Sequence, residues 1–104
     1  MKQTERITQM EQRLDRLSVA VMELSTALDK YETALEDRDI LSQYYGSEAW
    51  KKDFADDEAG LLPPDLKRGV LSEDGLWNVL SDCKELNIRL SELLTKIIKQ
   101  LPEQ

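Results

Sequence analysis

The chain contains no histidine and one cysteine, Cys83, so an imidazole base, a His-ligated metal and an intramolecular disulfide are all excluded. Chemistry is left to carboxylates, amines, guanidinium groups, hydroxyls, phenols and one thiol. The carboxylates crowd into one region, with Glu32, Glu36, Asp37 and Asp39 followed by Asp53, Asp56 and Asp57. On a helix Glu32 and Glu36 stand four residues apart and share a face. Joined by Asp53, Asp56 or Asp57 they could hold a divalent cation, but hard cations need several converging oxygens and the chain has no EF-hand loop. Lys51, Lys52, Lys67 and Arg68 follow closely, so local ion pairs closing a turn are the preferred reading. No metal and no cofactor is expected. Cys83 falls on an apolar stripe, where a buried structural thiol is expected, because a reactive one needs an accessible, electropositive setting.

A second constellation mixes aromatic and basic side chains. Tyr44, Tyr45, Trp50, Phe54 and Trp77 lie around the middle of the chain, near Lys67 and Arg68. They read first as a small core pinning the turns in place. The sharper reading is a recognition surface or pocket built from Tyr44, Tyr45, Trp50, Asp65, Lys67, Arg68 and Asp74, since aromatic and Arg side chains dominate binding hot spots. A helix N-terminus beside Arg68 could take an anion, although Asp74 would repel it. Lys67-Arg68-Gly69 lacks the Gly-x4-Gly-Lys frame of a phosphate-binding loop. No catalytic residue is assigned, and the chain leans away from an enzyme.

The elements that must position these residues follow from the breakers. All four glycines and two of the three prolines fall within residues 46–75, and these residues punctuate structure most strongly. The flanks should be long helices. In the first, Ile7, Met10, Leu14, Leu17, Val21, Leu24, Leu28, Tyr31 and Leu35 recur at steps of 3 and 4 through four heptads, the seam of a coiled coil. This helix is expected over about residues 4–45, with Thr4 as a candidate cap and Gly46 past its end. The last helix, about 73–101, follows Ser72 as N-cap and carries a broad stripe from Leu76 through Cys83 and Leu90 to Leu101, a width that suits more than one neighbour. Asn87 lies on or beside that stripe, either setting register from a buried position or sitting at its edge. Between the long helices, Ser47 should cap a short helix over Glu48–Ala59, and Pro64 should open a one-turn helix at Asp65–Arg68.

The expected fold is all-α. It is a long antiparallel helical hairpin of coiled-coil type, with two short helices in the connection, forming one domain over 1–104. At 1.5 Å per residue the two long helices differ by roughly 20 Å, so Ile7, Met10, Leu14, Leu17 and Val21 should lack cover within the chain. Each buried aliphatic side chain is worth about 1.5–3 kcal/mol. A homodimer closing a bundle through this seam is therefore expected, with another protein as a further partner. The formal charge of −7 argues against a nucleic-acid partner, which needs clustered cations. An acidic decoy for a nucleic-acid site is a weaker idea, because that charge is modest. The N-terminal stretch is too polar for a signal peptide, no apolar run approaches a membrane span, and a lone cysteine suits a reducing compartment. A cytoplasmic protein is expected.

Residues 44–80 resemble a bacterial domain-of-unknown-function family, number 4298. The resemblance rests on Tyr44-Tyr45-Gly46-Ser47, Trp50, Asp53, Leu62-Pro63 and the run from Asp65 to Asp74, in which Leu-Lys-Arg-Gly-Val-Leu-Ser-Glu-Asp is specific. The flanking helices match in pattern alone. The resemblance implies a small, soluble, helical protein and brings no activity or site residues with it. The function expected from residues and resemblance together is a non-enzymatic interaction or scaffold module. The alternative is a small enzyme or ligand-binding protein with its pocket in the 44–74 connection.

Overall fold

The computed structural model describes residues 2–101, the side chain of Glu73 excepted. It is all-α, and no strand occurs among the described residues. Helix α1 runs Gln3–Tyr44, 42 residues, at about 1.5 Å rise each. It begins ahead of Thr4: the Arg6 N–H donates to the Lys2 carbonyl at 3.0 Å. Thr4 lies inside the helix and its carbonyl accepts the Thr8 hydroxyl at 2.8 Å, so it is not the cap. Lys and Gln are good helix formers, and nothing in front of Thr4 stops the first turn.

Gly46 ends α1 with φ +79, a value that suits a residue without Cβ. The Ser47 N–H turns back to the Tyr44 carbonyl at 2.9 Å. Ser47 then caps α2, Glu48–Glu58, by accepting the Trp50 N–H at 3.1 Å. Gly60, φ +71, closes α2. The Gly60 and Leu61 N–H groups satisfy the Asp57 and Asp56 carbonyls, the paired closure of a Schellman motif.

The expected helix at Asp65–Arg68 does not form. The chain makes one turn, with the Leu66 N–H on the Pro63 carbonyl at 3.1 Å, and then a 3₁₀ turn at Gly69–Leu71. The reason is Arg68. Its guanidinium donates to the carbonyls of Pro63 and Leu66 and to the Asp57 carboxylate. The Leu66 carbonyl is thus turned toward a side chain rather than along a helix axis. Helix α3, Glu73–Gln100, follows, with Ser72 accepting the Gly75 N–H at 3.2 Å.

The chain parts into two compact units between Asp37 and Arg38. The first is α1 as far as Asp37, and the last turns of α1, Arg38–Tyr44, belong to the second. Helix α1 contains no buried residue, and the seam side chains from Ile7 to Leu28 are each 46–65 % exposed. The second holds the rest. Its core is small: Leu71 and Leu76, at 6 % and 5 % exposure, are the buried hydrophobic residues among those described. They sit where the 3₁₀ turn meets the start of α3, with Leu41, Leu62 and Leu80 half-buried. Here the end of α1 and the start of α3 run in opposite senses. Leu41 shares a hollow with Leu76 and Val79, while Arg38, one turn earlier, lies beside Cys83. The α3 stripe is covered in part at Leu80, Cys83 and Leu90, but every residue from Ser91 to Leu101 is exposed. Among the described residues no helix is long and apolar enough to cross a membrane.

Candidate functional site

The connection between the long helices is held by three side-chain knots. In the first, the turn at Gly46 brings α2 back toward the end of α1, and the Tyr44 hydroxyl donates to Asp53 Oδ2 at 2.6 Å. That bond, then partial burial and the Asp53 charge, push the Tyr44 phenol up to about 12. In the second, Trp50 is packed by two rings. Tyr45 meets it edge-on at 5.2 Å, and Phe54, one helical turn further on, stacks at 5.3 Å. Its indole Nε1–H donates to the Val70 carbonyl at 2.9 Å, pinning the 3₁₀ turn to α2. The third is the Arg68 fork on Asp57, Pro63 and Leu66.

The carboxylates of α2 therefore diverge. Asp53 takes Tyr44, Asp57 takes Arg68, and Asp56 Oδ2 takes Lys52 Nζ at 2.9 Å. The bond to Asp56, with its charge, holds the Lys52 ammonium above its ordinary value. Among the described residues no three Cys, Asp or Glu side chains converge as a metal set.

Of the residues singled out by sequence, Tyr44, Tyr45, Trp50 and Arg68 enter these knots, in three separate contacts. Asp65, Lys67 and Asp74 are exposed and stand outside them. Lys67 rims an apolar hollow of 330 Å³ walled by Leu41, Val70, Leu76 and Val79. Trp77, expected with the aromatic cluster, is 56 % exposed instead. Leu76 takes the inward position at the start of α3, and its neighbour is rotated by about 100° on a helix. Sequence reasoning missed the carbonyls of Pro63, Leu66 and Val70 as anchoring acceptors. No residue type announces them. The Asp residues of α2 carried a signal, since their spacing places them on a helix near basic residues.

A second groove, 460 Å³, lies between the end of α1 and α3, lined by Arg38, Asp39, Ser42, Cys83, Asn87 and Ser91 among others. Arg38 Nη2 meets Asp39 Oδ1 at 2.9 Å. The bond and charge of Asp39, and to a smaller degree Cys83, hold the guanidinium above its ordinary value. Cys83 is half-buried on this wall rather than buried, because α1 offers it Arg38 instead of an apolar side chain. Asn87, also half-buried, directs its amide to the Cys83 sulfur at 3.9 Å.

The other surface is the α1 seam, where Ile7, Met10, Leu14, Leu17 and Val21 all stand exposed along one ridge. No curated protein and no solved structure matches the chain. One family does: its model matches residues 7–93, taking in most of α1, the knotted connection and α3 as far as Leu93, so the chain belongs to the family described as a domain of unknown function, DUF4298.

Proposed function

We propose that the protein is a non-enzymatic interaction module that self-associates through α1 and presents the connection to another protein. One observation carries this reading. Seven successive seam residues, Ile7 to Leu28, are each about half exposed or more on a continuous helix with no fully buried residue. Apolar ridges of this extent on a folded chain mark interaction sites. The knots support the same reading over a ligand pocket, since Tyr44, Trp50 and Arg68 direct their polar atoms at the protein itself. The partner surface is the exposed rim of the connection: Leu61, Leu66, Val70 and Trp77, with Asp65, Lys67 and Asp74 beside them.

Light scattering on a sizing column tests the first half. The expected mass is twice the 12.0 kDa of one chain, and Leu14→Asp should return it to one chain, since a charge in a packed seam is left unpaired. A single-chain mass for the unaltered protein at roughly tens of micromolar would overturn the proposal. So would a Leu14→Asp variant that stays associated.

A further inference from the structure

We infer that two copies of α1 pair antiparallel, with Met10 against Leu28, Leu14 against Leu24 and Leu17 against Val21. This rests on the self-association proposed above and adds its direction and register. All six of these side chains are exposed.

Charge complementarity points to the direction. From Gln3 to Leu17 the helix carries Arg6, Arg13 and Arg16 against Glu5, Glu11 and Asp15, a net of zero, with Lys2 just ahead of it. From Val21 to Asp37 it carries Lys30 against Glu23, Asp29, Glu32, Glu36 and Asp37, a net −4. An antiparallel pair lays the acidic half of each copy along the charge-balanced half of the other. A parallel pair sets the two acidic halves side by side over their whole length. Most of these carboxylates lie outside the seam, with Glu32 flanking it, so the like net charge opposes parallel pairing as a field that salt screens.

The seam flanks point to the register. In the heptad that starts at Ile7, the positions just before and after the seam residues set orientation. Arg6 and Arg13 are followed at the same heptad position by Ala20, Ala27 and Ala34, and the opposite flank runs Glu11, Ser18, Ser25 and Glu32, so its middle is small and its ends are acidic. With Leu17 facing Val21, the two-fold axis is level with Val19. The residues flanking the seam there are Ser18 and Ala20 of both copies, the smallest on offer, so the backbones can approach. Arg6 and Arg13 then face Ala34 and Ala27, and no basic side chain meets another. A parallel pair would gain an Arg6–Glu11 contact on each side, a small term for exposed pairs, but would set the two halves of net −4 along each other.

Disulfide trapping separates the outcomes. In a Cys83→Ser background, Ala20→Cys places thiols beside the axis, and Gln3→Cys places them at opposite ends of the pair, about 48 Å apart. Under mild oxidation the Ala20→Cys protein should yield roughly five-fold or more covalent dimer than the Gln3→Cys protein, because bridging needs Cα atoms within about 7 Å. Scattering on the reduced proteins reads association independently. A two-chain mass with Gln3→Cys trapped and Ala20→Cys not trapped overturns the direction and leaves self-association standing. A two-chain mass with both trapped equally, or neither, overturns the register. A single-chain mass overturns both readings.

Discussion

Between Ile7 and Leu28 the chain repeats one geometry without a break and leaves its apolar side chains in solvent. Between Tyr44 and Leu71 it breaks into short elements and turns, tied by side-chain bonds from Tyr44, Trp50 and Arg68. The first region is held by its own backbone hydrogen bonds and good helix formers; its side chains contribute little to the fold of one chain. The second has short elements that could not persist alone. Its order comes from tertiary contacts: the Trp50 stack, the Arg68 fork and the two leucines beneath them. The contrast separates stability from association. The apolar side chains that one region uses within the chain, the other leaves exposed.

Substitutions should split along that line. Leu76→Ala opens a void in the small core and should cost about 2–4 kcal/mol, read as a fall in urea midpoint that does not depend on protein concentration. Leu17→Ala, at an exposed seam position, should cost less than about 0.5 kcal/mol in dilute protein, with a penalty that grows as concentration rises. Equal, concentration-independent losses would erase the distinction. Arg68→Lys keeps the charge and loses the planar fork on Asp57, Pro63 and Leu66, so about 1–3 kcal/mol should go despite the conservative change. A stability matching the parent would show that charge alone holds the turn.

The most specific effect is at Tyr44. Tyr44→Phe should cost about 1 kcal/mol near neutrality. The folded phenol titrates at about 12 and the unfolded one near its ordinary value of about 10. Below pH 10 both states hold the proton and the bond to Asp53 contributes in full. As pH rises from 10 the unfolded chain gives up its proton first, so this contribution falls and is gone once the folded phenol has titrated. The stability curves of the parent and the Phe variant should therefore converge across that window. Curves that stay parallel would show that the hydroxyl does not favour the folded state through its proton.

Much of the helical framework was legible because its signals are local. Ser47, Gly46, Gly60 and Ser72 mark helix ends by chemistry that acts within one turn, and the heptad spacing fixes which face of α1 is apolar. The failures share one cause. Pro64 and Gly69 bracket Asp65–Arg68 as they would a helical turn, and no local signal weighs a guanidinium reaching back to two carbonyls and a carboxylate. Periodicity also names the apolar face of α3 without saying whether anything covers it, so the exposure of Leu93, Leu94, Ile97 and Ile98 was not readable. Cys83 was assigned to the interior for the same reason. In the connection, residue types identified Tyr44, Tyr45, Trp50 and Arg68 as the distinctive group; which atoms they would touch depended on the turns.

The two indoles occupy unlike surroundings: Trp50 is half-buried between aromatic rings with its N–H satisfied, and Trp77 stands 56 % exposed at the start of α3. The molecule thus carries its own pair of optical gauges. Iodide should dim the emission of Trp77 first and leave the bluer light of Trp50, so a ligand that shields the rim and an event that loosens the knot will leave different spectral signatures without any added dye.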